Sequence, residues 1–94
     1  MRVSKNSEVP YVAGALAGSL RSGDETNLDV MGVSSTYKAV KALLLAQEFI
    51  KEDNISIVVK LSKRQTIIGD GLERTVIRFT AIPVKDMESD EQRE

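Results

Sequence analysis

Ile55-Ser56-Ile57-Val58-Val59-Lys60-Leu61-Ser62 and, beyond Gly69-Asp70-Gly71, Val76-Ile77-Arg78-Phe79-Thr80-Ala81 decide the fold. In the first run Ile55, Ile57, Val59 and Leu61 alternate with Ser56, Val58, Lys60 and Ser62. In the second, Ile77, Phe79 and Ala81 alternate with Val76, Arg78 and Thr80. Successive side chains of a strand point to opposite faces, so each run has one face to bury. Both apolar sets are odd-numbered. Odd pairs with odd only across a loop with an odd number of residues, because a one-residue slip turns one apolar set outward. A three-residue Gly69-Asp70-Gly71 loop is therefore expected rather than a two-residue Asp-Gly turn. Pro83 suits a strand end or edge.

Upstream the apolar period lengthens to that of helices. Val9, Val12, Ala13, Leu16 and Leu20 share one face of a helix from about Pro10 to Arg21, with Ser7 as a candidate cap and Gly23 as its stop. Gly14 and Gly18 lie inside it, each costing about 1 kcal/mol relative to alanine. Close packing on the chain's own sheet is the expected compensation, and a helix contact between subunits is the alternative. Leu28, Val30 and Val33 mark a strand from about Asn27 to Val33. Ser34 or Ser35 can cap a second helix, roughly Thr36 to Glu52. Ala39, Val40, Ala42, Leu43, Ala46, Phe49 and Ile50 form its apolar arc, opposite Lys41, Glu48, Lys51 and Glu52. Leu44 and Leu45 flank the polar side, where a monomer gains little from them, so a self-association surface is expected there.

With Arg2-Val3-Ser4 as a short first strand, the order is β-α-β-α-β-β. It implies an α/β protein of two-layer α+β type, a four-stranded mixed sheet with two helices on one face. The last two strands overrun such helices, so the segment from about Ser62 to Arg74 should project as a two-stranded arm carrying Lys63, Arg64 and Arg74.

The 94 residues suit one domain. Its expected extent is residues 1–85, with 86–94 as a disordered acidic tail. In that tail Asp86, Glu88, Asp90, Glu91 and Glu94 stand against Arg93, a net −4, which leaves +3 on the first 85 residues of a chain with total charge −1. The tail either solubilises the protein or mimics nucleic acid and competes for the basic body. Without cysteine or histidine the chain lacks thiolate metal ligands, a disulfide framework and the commonest general base. No nucleophile–base pair is apparent in the sequence, and the expectation is a non-enzymatic protein with no cofactor and no resident metal. No apolar run approaches membrane-spanning length, so the expected location is cytoplasmic, without membrane attachment.

The remaining signal is cationic. Lys60, Arg64, Arg74 and Arg78 have the parity of the sheet's non-core face, and Lys63 sits on the arm. Such a strip either clamps a phosphate backbone or simply solvates a sheet face. Lys38 and Lys41 lie near a helix N-terminus, which attracts anions. Neither Asn nor aromatic residues cluster with these cations, and Gln65 alone is too little for base readout.

Val12-Ala13-Gly14-Ala15-Leu16-Ala17-Gly18, Ala39-Val40-Lys41-Ala42, Ile57-Val58-Val59-Lys60 and Glu73-Arg74-Thr75 resemble, in order and spacing from about Arg2 to Val84, the stage V sporulation protein S family. That family is similar in fold to Alba, a small nucleic-acid-binding protein. The resemblance implies an Alba-like dimer contacting nucleic acid, DNA or RNA, and the lack of base-reading residues beside the arm adds the expectation of little sequence preference. The implied contacts are Lys5 after the first strand, Lys38 and Lys41 at the second helix, and Lys63, Arg64 and Arg74 on the arm. The alternative is a protein–protein assembly module in a developmental pathway.

Overall fold

A computed structural model describes residues 1–86 apart from 68 and 70. Helix α1 runs Val9–Arg21, strand β1 Thr26–Val30, helix α2 Val33–Ile50, strand β2 Ile55–Ile67 and strand β3 Glu73–Lys85, with a 3₁₀ turn at Lys51–Asp53 before β2. The sheet has three strands in the order β1-β3-β2, both pairings antiparallel. The expected fourth strand is reduced to one isolated parallel bridge, Arg2 to Asp29. Val3 N donates to Asp29 O and Asp29 N to Met1 O, after which the chain turns away. The turn is local: Ser4 N donates to Ser7 Oγ and Asn6 N to Ser4 Oγ. Ser7 is thereby used inside the loop, and α1 begins at Val9 with Glu8 as an N-cap that makes no side-chain bond.

Both helices cover one face of the sheet, as the two-layer reading required. Leu16 and Leu20 of α1, Ala39, Ala42, Ala46 and Ile50 of α2, Leu28 and Val30 of β1, and Ala81 of β3 are fully buried between them. The alanines on α2 let that helix lie close to its neighbours. Arg21 ties the helix ends together, donating from Nε to Asp53 Oδ2 at 2.8 Å and from Nη2 to Phe49 O at 2.7 Å. Gly23 takes φ +86°, ending α1 as expected. Gly32, at φ +93°, precedes α2, so neither Ser34 nor Ser35 is its cap. Ser35 Oγ instead donates to Met31 O and accepts from Met31 N, pinning the end of the β1 connection.

The hairpin register runs unbroken from Ile55↔Lys85 to Ile67↔Glu73. Odd pairs with odd throughout, as the alternation demanded. Five residues, 68–72, join the paired ends rather than three. The parity is conserved because it alone keeps both apolar sets on one face; loop length within that parity is free.

Two packing expectations fail. Gly14 and Gly18 are exposed, and nothing lies within 4 Å of where a Cβ would stand on either. No close approach to the sheet explains them. Val59 and Leu61 carry core parity but are exposed, Leu61 by 65%. Helix α2 meets β2 only at its first residues, through Gln47 and Ile55, so alternation marks a face that only those first residues bury.

Asp86, where the acidic tail is expected to begin, is hydrogen-bonded to the start of β2. Asp86 N donates to Asn54 O, and Asp86 Oδ1 accepts from Ser56 Oγ at 2.8 Å. The remainder, 87–94, lies outside the described residues.

Candidate nucleic-acid interface

The sheet face turned away from the helices is built by the same parity. On β2 it presents Lys60, Ser62, Arg64 and Thr66; on β3, Arg74, Val76, Arg78 and Thr80. On β1, Asn27 pairs with Thr80 and Asp29 with Arg78, so both stand on this face. Arg2 joins it through its parallel bridge to Asp29, since bridged partners share a face. Lys60, Arg64, Arg74, Arg78 and Arg2 thus share one surface. Toward Asn54 the surface turns apolar, with Val58, Ile82 and Val84.

Arg74 and Arg78 are already engaged, Arg74 donating from Nη1 to Glu73 O at 3.2 Å. Arg78 donates from Nε to Asp29 Oδ1 at 2.7 Å and from Nη2 to Asp29 Oδ2 at 2.9 Å, a bidentate pair. The hydrogen bond from Arg78 holds the Asp29 carboxyl below its ordinary range, against the opposing effect of partial burial, and Arg64 and the chain N-terminus add to the lowering. The same contact raises the Arg78 guanidinium. Arg78, expected as a free phosphate contact, is therefore a neutralised one, and Asp29 sits within the basic surface.

Beside this pair a cavity of about 440 Å³ opens between the N-terminal segment, the start of α2 and the base of the arm. Arg2, Lys5, Gly32, Arg64 and Val76 contribute to its wall. Here the first loop, the start of α2 and the hairpin meet, although Lys38, Lys41, Lys63 and Arg74 do not line the cavity. Arg64 and Arg74 share the open face of the arm, opposite Val76 and Thr66 respectively. Lys63 does not join them. It pairs with Ile77 and so points to the helix side, because adjacent strand residues never share a face. Lys38 donates from Nζ to Ser7 O at 2.7 Å, which ties α2 to the first loop rather than offering the ammonium freely. Lys41 lies over the Tyr37 ring, 5.1 Å from its centroid, a cation–π contact.

Arg2 is a cation of this candidate face that the sequence reading did not single out. Its signal was present: Val3 is buried, and alternation in even a short extended segment turns Arg2 to the opposite face.

On the helix side, an apolar groove follows α2 where the helices leave β2 uncovered. Leu44 is 65% exposed and lines it with Val40, Val59 and Leu61. Leu45 is corrected: it packs against the chain's own core and is not an open flank. No helix among the described residues is long and apolar enough to cross a membrane.

The family model described as Stage V sporulation protein S (SpoVS) matches residues 1–84 of the chain.

Proposed function

The chain belongs to the stage V sporulation protein S family and is thereby a sporulation-related protein, and from that premise we propose that it is a non-enzymatic, dimeric nucleic-acid-binding regulator or architectural protein. The open sheet face carries this reading. Arg2, Lys60, Arg64 and Arg74 stand on one surface; among the described residues the carboxylates on that face are Asp29, held by Arg78, and Asp86, beside Ser56 at the far end. Cations spaced along two paired strands match the regular charge of a phosphate backbone, whose neutralisation releases counterions and dominates affinity. Ser62 and Thr66 between them can donate hydrogen bonds to phosphate oxygens. Such a surface positions a backbone and does not read bases, so DNA or RNA is bound with little sequence preference.

A second reading, a protein–protein assembly module, draws on the apolar groove beside α2. Salt titrations of binding to duplex DNA, single-stranded DNA and RNA of unrelated sequences separate the two. The nucleic-acid reading expects affinity to fall steeply with salt and to vary little with sequence. No binding even at low salt would leave the assembly module as the better account.

A further inference from the structure

The cavity of about 440 Å³ beside the Asp29–Arg78 pair gathers cations from three separate segments. Arg2 comes from the bridged N-terminal stretch, Lys5 from the first loop and Arg64 from β2. All three are exposed, and among the described residues none of their side chains makes an ion pair or a hydrogen bond. The carboxylate in the wall, Asp29, is already neutralised by Arg78. Like charges brought together repel, and here no side chain of the wall offsets them. The rest of the lining is of another kind. Val3, Val30 and Val76 belong to it and are otherwise buried. The first turn of α2 closes one side, through Gly32, Val33, Ser34 and Ser35. The first bond of that helix runs from Thr36 N to Gly32 O, so the N–H groups of Val33, Ser34 and Ser35 have no partner among the described residues. They add donors to a wall that the cations already make electropositive.

We propose that this cavity binds a phosphate monoester carried on a small organic body, of the size of a nucleoside monophosphate. Pockets for small ligands enclose about 300–1,000 Å³, and this one lies near the lower end, with room for one such molecule and none for a duplex. The phosphate takes the cations. The forked guanidinium groups of Arg2 and Arg64 match its oxygens in pairs, and the ammonium of Lys5 acts as a point charge. The organic body covers Val3, Val30 and Val76, which inorganic phosphate alone would leave wet. Charge also separates this ligand from a nucleic-acid backbone. A backbone phosphodiester carries one charge per group and suits cations spread along an open face. A phosphate monoester carries nearly two charges at neutral pH and suits cations gathered around one hollow. Arg2 and Arg64 stand both in this cavity and on the open sheet face. A molecule seated here therefore withdraws two cations from that face. Where the nucleic-acid reading above holds, each ligand lowers the affinity of the other by the same factor.

Titration calorimetry of the full chain with adenosine 5′-monophosphate, in the absence of nucleic acid, tests this. The nucleotide should bind, and both adenosine and inorganic phosphate should bind at least about tenfold more weakly. Arg64→Ser and Lys5→Ser should each weaken the nucleotide by about tenfold to a hundredfold, the loss of a charge-assisted contact. Ser34→Glu guards against a variant that merely misfolds. It sets a carboxylate in the cavity wall, yet the first turn of α2 has no acidic residue and a carboxylate there favours the helix. Nucleotide binding should be lost while the thermal midpoint holds or rises. Duplexes that differ only in a 5′-phosphate or a 5′-hydroxyl then identify the source of the phosphate. With the nucleotide bound as stated, a tighter complex for the phosphorylated end assigns it to a strand terminus, and equal complexes assign it to a free small molecule. No nucleotide binding at millimolar concentration, equally tight binding of adenosine, or binding untouched by Ser34→Glu would overturn the proposal. The calorimetry involves no nucleic acid, so its failure leaves the open-face reading standing, and failure of nucleic-acid binding leaves this site standing.

Discussion

The half of the sheet beneath the helices and the hairpin that runs past them carry the same alternating pattern but bury it differently. Leu28 on β1 is fully buried under α1 and α2, whereas Ile67, at the end of β2 and of the same core parity as Ile55, is 67% exposed. β1 ends at Val30↔Ile77, while β2 and β3 remain paired for another four rungs, a two-stranded arm of about 13 Å. Alternation therefore fixes a face, and only the reach of the opposing layer decides whether that face becomes core.

Core truncation gives the widest contrast. Leu28→Ala should lower the free energy of unfolding by about 2–5 kcal/mol, and Ile67→Ala by less than about 0.5 kcal/mol, measured by denaturant titration. Similar losses at both would mean that the arm is packed against something and the contrast is false.

The outer face of α1 sharpens the comparison from the other side. Gly14 and Gly18 have open space around them, so Gly14→Ala and Gly18→Ala should each stabilise the protein by about 1 kcal/mol. A loss of stability in thermal melts would show that this face, too, is covered by a partner.

The third effect is smaller and depends on pH. Asp29 has a carboxyl held below the ordinary 3.8 by Arg78. A depressed carboxyl contributes stability above its unfolded value and loses it as pH falls through the folded one. Wild type should therefore be more stable than Asp29→Asn at neutral pH, with the gap closing below about pH 4. The same substitution frees Arg78, and duplex affinity at low salt and neutral pH should rise. An unchanged gap at low pH would remove the pair from the account.

Much of this was legible in the sequence, and the failures share a cause. The parity of the hairpin, the two helices and the shared face of Lys60, Arg64 and Arg74 follow from periods of 2 and 3.6, which are local. Parity also places Lys63 on the other face from Arg64; grouping it with the arm's arginines ignored that rule. Facts that depend on distant partners were not legible. Arg78 meets Asp29 across 49 residues of sequence, and Lys38 meets Ser7 across 31. Leu45 differs from Leu44 only in which neighbour reaches it. The first strand shrank to a bridge because Ser4 and Ser7 close a turn directly after Val3.

The central claim is that the open sheet face, and not the start of α2, contacts nucleic acid. The most direct test compares two variants in salt titrations of duplex binding, one with Lys60, Arg64 and Arg74 all changed to serine, the other with Lys38 and Lys41 changed to serine. The open-face variant should flatten the plot of log affinity against log salt by about 0.9 for each phosphate contact removed, equally for unrelated sequences, while the α2 variant keeps the wild-type slope. A wild-type slope in the open-face variant, with the loss appearing in the α2 variant, would contradict the account.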